Sequence, residues 1–200
     1  MRFPLLLAAS ATLGACANAA PASAPSANRA EAIVAGGCFW CTEADFDKLP
    51  GVIRTTSGYT GGTVANPTYK QVSGGGTGHI EAVRIVYDPR KVSYESLANH
   101  LLRTVDPLDG GGQFCDRGYQ YKSALFVATP QQRRAAEAAK ARAAAALKKP
   151  VATLILPAAR FYPAEEYHQD YYKKNPVRYR FYRWNCGRDQ RLKEVWGAGK

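Results

Sequence analysis

The order of short apolar strands and helical segments from Glu31 onward constrains the fold of this chain most strongly. Hydrophobic periodicity and turn signals predict the order βαββαβαβ, followed by an irregular C-terminal tail. Strands interleaved with helices in this order cannot all be joined as parallel crossovers. We therefore predict an α+β fold in which helices pack against a mixed β-sheet.

Helix caps and chain breakers set the boundaries of these segments. Pro50 ends the first helix, and Ser93 caps the second. Thr129 forms a capping box with Gln132 at the start of an Ala-rich helix. The predicted strands are 31–35, 52–59, 80–87, 119–129 and 151–156, and the predicted helices are 38–49, 93–105, 130–147 and 165–172. Strand 80–87 is apolar on both faces, which predicts burial on both sides, and the Gly/Asn/Pro-rich segment 61–78 is predicted to be a loop.

The first 29 residues are predicted to be a signal peptide and an Ala/Pro/Ser-rich tether, and residues 30–200 a single domain. Arg2 precedes a short apolar run, as in secretory signals. Two interpretations of the processing site stay open: a small-x-small cleavage site ending at Ala19, or a lipobox in which Cys16 becomes the lipidated N-terminus. We slightly favour the lipobox. Either one predicts an exported protein, in the periplasm or anchored as a lipoprotein in a bacterial envelope.

Charge and composition exclude several classes of protein. The chain is 46% hydrophobic and 22% charged, which is typical of a globular domain and not of a disordered chain. No apolar run is long enough for a mature membrane-spanning helix. The net charge is +11, but the basic residues form no recognisable nucleic-acid motif. We therefore expect no nucleic-acid partner.

Export gives the cysteines two possible uses. Without Cys16, four cysteines remain, which in an oxidising compartment would make two structural disulfides or contribute a redox-active CxxC pair: Cys38, Cys41, Cys115 and Cys186. A zinc site is not expected, because the CxxC pair lacks a second knuckle at metal-binding spacing.

The segment Gly36-Gly37-Cys38-Phe39-Trp40-Cys41 predicts a reactive thiol. Cys38 stands between a strand and a helix, where unpaired backbone N–H groups and the positive end of the helix dipole favour thiolate over thiol. The two glycines permit a tight turn, and the two aromatic residues would place an apolar wall beside the sulfur. Such a wall suits a soft neutral group, such as a thioether methyl.

Six segments together resemble one enzyme family. In chain order they are GGCFWCTE, GYTGG, NPTYKQV, TGHIEAV, DRGYQYKSA and FYPAEEYHQ, between Gly36 and Gln169. These motifs, in this order, resemble those of the A-type peptide methionine sulfoxide reductases. The resemblance implies a ferredoxin-like α+β core and a single catalytic domain over residues 30–200. It also implies reduction of the S-epimer of methionine sulfoxide, free or in oxidised proteins.

The resemblance also implies a role for each motif residue. Cys38 matches the nucleophile that attacks the sulfoxide sulfur and becomes a sulfenic acid, and Glu81 matches the acid that protonates the sulfoxide oxygen. The implied substrate-binding residues are Phe39, Trp40, Tyr69, Tyr121 and Asp116. Chemistry agrees, since a sulfoxide oxygen leaves only when a proton reaches it, and tyrosine hydroxyls donate to oxygen without adding charge. The other polar motif residues are interpreted as structural: His79, His168, Glu165, Glu166 and Gln169.

The resolving cysteine is where this sequence departs from the family pattern. The family usually places that thiol in the C-terminal segment, where Cys186 is the candidate. Cys41 stands where glycine is common and lies three residues along a helix from Cys38, on the right face to form a disulfide. We slightly favour Cys186 over Cys41, with Cys115 third or as a relay.

No cofactor or metal motif is present, and the implied chemistry needs neither. The resemblance implies a thioredoxin-like reductant, in this case an envelope thiol carrier, and we expect a monomer. Two other classes stay open. A general dithiol oxidoreductase explains Cys38 and Cys41 but not Glu81 with the tyrosines, and a non-catalytic lipoprotein binding module explains only the signal and the basic surface.

Overall fold

The structure is a computed structural model that describes residues 28–197. The predicted signal peptide and the lipidation candidate Cys16 lie outside these residues. Within them, no helix is both long and apolar enough to cross a membrane.

The described residues form eight strands and seven helices. The strands are β1 (Ala30–Gly36), β2 (Val52–Thr60), β3 (Ile80–Tyr87), β4 (Gly112–Gln113), β5 (Asp116–Arg117), β6 (Ser123–Val127), β7 (Leu154–Pro157) and β8 (Tyr162–Pro163). The helices are α1 (Phe39–Phe46), α2 (Tyr69–Ser73), α3 (Tyr94–Thr104), α4 (Pro130–Leu147), α5 (Tyr171–Lys174), α6 (Pro176–Asn185) and α7 (Arg188–Trp196). Two 3₁₀ turns span Tyr119–Tyr121 and Glu166–His168.

One mixed sheet organises the domain. Its six strands lie in the order β7-β6-β1-β3-β2-β8, all antiparallel to their neighbours except β6 and β7, which are parallel. The central four strands, with α1 and α3 as crossings, form the βαββαβ arrangement of ferredoxin-like domains. β4 and β5 form a separate small hairpin. The predicted α+β class and mixed sheet are confirmed.

The main core lies between the sheet and helices α1, α3 and α4. Val83 and Ile85 of β3 belong to it, together with Leu97 and Leu101 of α3. Ile80, on the other face of β3, belongs to a second cluster that loop and edge-strand side chains cover. Strand β3 is therefore buried on both faces, as its sequence predicted. Because side chains alternate along a strand, Glu81 shares the helix-covered face with Val83 and Ile85.

Some boundaries differ from the predicted ones. The predicted loop 61–78 contains α2, whose capping box is made by Thr68 and Gln71. Helix α1 ends at Phe46, β6 begins only at Ser123, and β7 begins at Leu154. The first part of the predicted strand 119–129 is instead a 3₁₀ turn, which follows Gly118 at a φ of +119°.

The prediction of an irregular C-terminal tail is wrong, since α6 and α7 occupy it. Hydrophobic periodicity misses α6 because its buried face is polar and aromatic, through Tyr179 and Arg183, whereas Phe181 and Trp184 are exposed. Such a helix has no apolar stripe toward the core and gives no amphipathic signal.

Candidate active site

Cys38 occupies the turn between β1 and α1, where its sequence context placed it. It is the N-cap residue of α1, and its side chain is 7% exposed. The preceding Gly37 has a φ of +80°, and a Cβ on it would lie 2.5 Å from the Cβ of Gln113. The turn that presents the thiol therefore requires glycine at this position.

A narrow cavity of about 50 Å³ opens beside the thiol. Its lining residues are Cys38, Phe39, Trp40, Tyr69, Glu81, Asp116, Tyr121 and Tyr182. All seven residues predicted for catalysis and substrate binding thus share one cavity, although they come from five separate stretches of chain. Tyr182 is the one lining residue that the sequence analysis did not single out.

Glu81 is held against the start of α1. Its Oε2 atom accepts a hydrogen bond from the Phe39 backbone N–H at 3.0 Å, and the side chain is buried. Burial raises the pKa of Glu81 to about 8, with Asp116 and Cys41 adding to the increase, while the Phe39 hydrogen bond opposes it. At neutral pH the carboxyl therefore carries a proton that it can donate.

Cys38 is a thiol at rest in this environment. Burial raises the pKa of Cys38 well above its ordinary value, and Cys41 and Glu81 raise it further, while a hydrogen bond with Tyr182 opposes the increase. The helix start that was expected to favour the thiolate is outweighed by the loss of solvation. Ionisation of Cys38 must therefore be coupled to events in the cavity.

Two tyrosines offer neutral hydroxyl groups to the cavity. Burial raises the pKa of Tyr69 to about 12 and also raises the pKa of Tyr121. Both hydroxyls therefore stay protonated at any physiological pH and can donate hydrogen bonds. Tyr69 is positioned by its backbone N–H, which donates to Oε1 of Glu165 at 2.8 Å, while Oε2 of Glu165 accepts from the hydroxyl of Tyr59 at 2.8 Å.

Phe39 and Trp40 form an aromatic wall. The Trp40 indole stacks on Tyr171 at a centroid distance of 3.7 Å, and its Nε1 donates to Nδ1 of His168 at 3.0 Å. The ring of Phe39 lies 5.0 Å from that of His168 and 6.4 Å from that of Tyr69. His168 therefore supports the wall, in agreement with its interpretation as a structural histidine.

Asp116 and Tyr182 close the far side of the cavity. The Tyr182 hydroxyl donates to Oδ2 of Asp116 and also interacts with Cys38. Burial raises the pKa of Asp116, although this hydrogen bond and the charge of Arg188 oppose the increase. Sequence reasoning missed Tyr182 because it lies in an aromatic and basic tail with no catalytic motif.

The four cysteines of the domain are in two states. Cys115 and Cys186 form a disulfide with a Cα–Cα distance of 4.9 Å, and Cys38 and Cys41 are free and buried. The disulfide joins residues next to Asp116 and at the end of α6, so it bridges the two elements that meet at the Tyr182–Asp116 hydrogen bond. No cluster of potential metal ligands occurs among residues 28–197.

The model of the family "Peptide methionine sulfoxide reductase" matches residues 30–200. This chain belongs to the peptide methionine sulfoxide reductase family. MsrA 2 of Caulobacter vibrioides is 53% identical over 195 residues, with 97% of each chain covered. MsrA/MsrB of Vibrio cholerae is 50% identical over 177 residues, which are 88% of this chain but only 47% of that protein.

Solved structures of the family share this fold. Mxr1 of Saccharomyces cerevisiae in reduced form superposes with a TM-score of 0.72 at 31% identity, over 76% of this chain and 88% of that one. Methionine sulfoxide reductase A of Corynebacterium diphtheriae superposes with a TM-score of 0.67 at 35% identity, over 76% and 78%. A complex of Mxr1 with Trx2 superposes with a TM-score of 0.53 at 22% identity, over 76% and 90%, which is a likeness of fold.

Proposed function

We propose that this protein is a thiol-dependent reductase that converts methionine (S)-sulfoxide, free or in peptides, to methionine. Family membership supports the reaction. The observation that carries it is a buried carboxyl, Glu81, in the same narrow cavity as the Cys38 thiol and two tyrosine hydroxyls, where burial raises the pKa of Glu81 to about 8. A general dithiol exchange does not explain this carboxyl together with the two tyrosine hydroxyls.

The first step transfers the sulfoxide oxygen to Cys38. The Cys38 thiolate attacks the sulfoxide sulfur, Glu81 donates a proton to the oxygen, and the hydroxyl passes to Cys38 as a sulfenic acid while methionine is released. One proton leaves the thiol and one arrives on the oxygen, so the proton count is balanced. Tyr69 and Tyr121 donate hydrogen bonds to the oxygen as charge develops on it.

Substrate orientation follows from the aromatic wall. Phe39 and Trp40 contact the methyl group on the sulfur, because an apolar face favours a thioether methyl over a polar group. With the oxygen toward Glu81 and the methyl group toward the wall, the rest of the side chain can point outward in only one configuration at sulfur. This arrangement supports selectivity for a single epimer, and the resemblance to the A-type reductases implies that it is the S-epimer.

We propose that Cys41 is the resolving thiol. It is free, lies on α1 one turn from Cys38 and is linked to Cys38 by a hydrogen bond, whereas Cys186 is paired with Cys115. Attack of Cys41 on the sulfenic acid forms the Cys38–Cys41 disulfide and releases water. This proposal replaces the preference for Cys186, and it leaves Cys115 and Cys186 the role of a bridge between the hairpin and α6.

Electrons return from a dithiol protein. A thioredoxin-like donor reduces the Cys38–Cys41 disulfide by exchange and becomes a disulfide itself, which balances two electrons and two protons. The family member Mxr1 is known in complex with Trx2. We further propose that the donor is an envelope thiol carrier and that the protein acts as an exported monomer, tethered through Cys16 if the lipobox is used. The sequence of residues 1–29 supports the export, and the location of the whole site in one chain supports the monomer.

The first test is the stereochemistry of the reaction. With dithiothreitol as reductant, the purified protein should reduce the S-sulfoxide of N-acetylmethionine and leave the R-sulfoxide unchanged. The Cys38→Ser variant should lose the activity, by at least about a thousandfold, because a serine hydroxyl cannot attack the sulfoxide sulfur and take up its oxygen as a thiolate does. Chiral chromatography of the remaining sulfoxide measures both results.

The competing candidate is a general dithiol oxidoreductase, which the adjacency of Cys38 and Cys41 favours. It predicts reduction of insulin disulfides and no reduction of either sulfoxide epimer. That pair of results would overturn the reductase proposal. A non-catalytic binding role would instead be supported if Cys38→Ser retained all function of the protein.

A further inference from the structure

Two arginines from the C-terminal helices reach the interior behind the Cys38–Cys41 pair. Arg188, the first residue of α7, is 2% exposed, and the side chain of Arg183 on α6 is 17% exposed. Arg188 donates hydrogen bonds to the carbonyl oxygens of Gly36, at 3.2 Å, and Thr104, at 2.7 Å. Its guanidinium is therefore fixed at the end of β1, two residues before Cys38.

The buried charges in this region do not balance. Asp45 accepts hydrogen bonds from Arg183 at 2.9 and 3.2 Å, and its Oδ2 atom lies 3.6 Å from Arg188. Arg183 also pairs with Asp189, but that carboxylate side chain is 60% exposed, so water competes for it. The fully buried Arg188 and the largely buried Arg183 thus share Asp45 as their buried ion-pair partner, and Asp116 is a further carboxyl on which the charge of Arg188 acts. An uncompensated buried charge is costly, so a further anion in contact with this cluster would be stabilised.

Cys41 is the group placed to become that anion. It is buried and packs against Ala44 and Tyr179, and the Tyr179 hydroxyl accepts a hydrogen bond from Arg183 at 3.2 Å. Six titratable or charged groups interact electrostatically with Cys41: Cys38, Asp45, Glu81, Tyr179, Arg183 and Arg188. The pKa of Cys41 is lowered to about 7, first by the hydrogen bond with Cys38 and then by Arg188 and Arg183, while burial and Asp45 oppose the decrease.

We propose that Arg183 and Arg188 are positioning residues that hold Cys41 as the attacking thiolate of the disulfide step. The inference rests on the proposed function, since it concerns the fate of the Cys38 sulfenic acid. After methionine leaves, Glu81 takes up a proton again from solvent. The Cys41 sulfur then attacks the Cys38 sulfur, the S–S bond forms, the S–O bond breaks, and the departing hydroxide takes that proton from Glu81 and leaves as water. Cys41 is oxidised and the sulfenic sulfur is reduced.

Helices α6 and α7 thus contribute to the disulfide step through Arg183 and Arg188. Cys38 is a thiol at rest and Cys41 is the more acidic of the two, so the pair is ready for resolution before substrate arrives. Once Cys38 is a sulfenic acid, its electrophilic sulfur already lies next to a thiolate. The sulfenic acid is then consumed quickly, which protects it from further oxidation.

The first experiment titrates Cys41 directly. In a Cys16→Ser/Cys38→Ser background with the Cys115–Cys186 disulfide intact, Cys41 is the remaining thiol, and the introduced serine hydroxyl can still donate a hydrogen bond to it. Ultraviolet thiolate absorbance should show a midpoint near pH 7. Adding Arg188→Gln should raise that midpoint by at least about one pH unit, whereas Arg188→Lys, which keeps the charge, should leave it nearly unchanged.

The second experiment follows one turnover. Reduced protein is mixed with one equivalent of the S-sulfoxide, and methionine release, dimedone-trappable sulfenic acid and disulfide formation are measured across pH. The midpoint for disulfide closure should move to higher pH with Arg188→Gln and not with Arg188→Lys, while methionine release keeps its rate within about threefold. If either Arg188 variant fails to fold, the same comparison is made with Arg183→Gln and Arg183→Lys, since Arg183 is less buried.

The outcomes separate this inference from the proposed function. Equal titration midpoints in the Gln and Lys variants, or a Cys41 midpoint at the ordinary value for a thiol, would overturn the role of the arginines even if methionine is released normally. Absence of methionine release from the unsubstituted protein would instead overturn the proposed function. A shift with Gln alone, with methionine release intact, is the result expected here.

Discussion

At the scale of single residues, the reaction depends on one proton shared between Cys38 and Glu81. Both groups are buried, and burial disfavours their charged forms. The reactive arrangement, a thiolate beside a protonated carboxyl, contains one proton. Because the two groups interact, their titration belongs to the pair and not to either residue alone.

This shared proton predicts the pH dependence of methionine release. Below about pH 8 the pair holds two protons, so the rate should rise with pH through about 8, as the first proton leaves. Glu81→Gln should slow release by about a hundredfold or more, as for loss of a general acid, and remove this inflection. Rapid-quench measurement of methionine between about pH 6 and pH 9.5 tests both effects.

Glu43→Gln is the matched control for that experiment. Glu43 is also buried and its pKa is raised to about 7, but it lies on α1 outside the cavity and accepts a hydrogen bond from the Asp170 backbone at 2.9 Å. This variant should keep both the rate and the inflection. An inflection that survived Glu81→Gln would assign the proton to another group and remove Glu81 from the acid role.

At the scale of elements, the site is assembled from parts that meet only in the folded chain. The β1–α1 turn presents Cys38, strand β3 presents Glu81, and helix α2 begins at Tyr69. Helix α6 adds Tyr182, which the hairpin residue Asp116 holds. The Cys115–Cys186 disulfide ties that hairpin to the end of α6.

The disulfide should therefore stabilise both the fold and the cavity. It closes a segment with a sequence separation of 71 residues, so Cys115→Ser/Cys186→Ser should lower the free energy of unfolding by about 2–4 kcal/mol under non-reducing conditions. The KM for the S-sulfoxide should rise by about fivefold (roughly 1 kcal/mol), because the disulfide no longer holds the segments of Asp116 and Tyr182 together. Urea unfolding and steady-state kinetics measure the two effects.

Turnover of the double variant decides between the candidates for the resolving thiol. If Cys41 resolves the sulfenic acid, turnover with dithiothreitol and disulfide closure in a single turnover both persist without Cys115 and Cys186. Cys41→Ser should instead leave methionine release intact and abolish closure. Closure that disappears in the double variant and persists in Cys41→Ser would restore Cys186 as the resolving cysteine.

At the scale of the whole molecule, two buried carboxyls link the stability of the fold to pH. The folded state binds the protons of Glu43 and Glu81 more tightly than the unfolded chain does, because their pKa values are raised to about 7 and about 8. Between their ordinary pKa and these values, the unfolded chain loses protons first. Their contribution to stability is thus present at acid pH and is lost as the pH rises through this window.

Glu43→Gln should reduce the loss of folding stability that occurs as the pH rises. Between pH 5 and pH 8 the unsubstituted protein should lose more free energy of unfolding than the variant does, by about 2 kcal/mol, since one pKa unit corresponds to about 1.4 kcal/mol. The amide keeps an oxygen that can accept the Asp170 hydrogen bond, so the variant is expected to fold. Urea titrations at the two pH values give the comparison, and parallel losses in both proteins would contradict the linkage.

Local patterns in the amino-acid sequence are sufficient to predict several elements of this protein and most of its site. Strands β1, β2 and β3 and helices α3 and α4 were predicted close to their observed bounds, because their apolar periodicity and caps are strong. Six motifs identified the family and seven of the eight residues that line the cavity. Motifs of this kind are contiguous stretches, so they can be recognised before the stretches are brought together.

Features that depend on contacts between distant segments become visible only in the folded protein. Helix α6 gave no amphipathic signal because it turns Tyr182 and Arg183 inward, so its place beside Cys38 could not be read from periodicity. The pairing of Cys115 with Cys186, and the burial that makes Cys38 a thiol at rest, are likewise absent from any local pattern. Disulfide pairing depends on the distance between two cysteines, and solvation depends on how deeply a residue is buried. Both are set only when the chain folds.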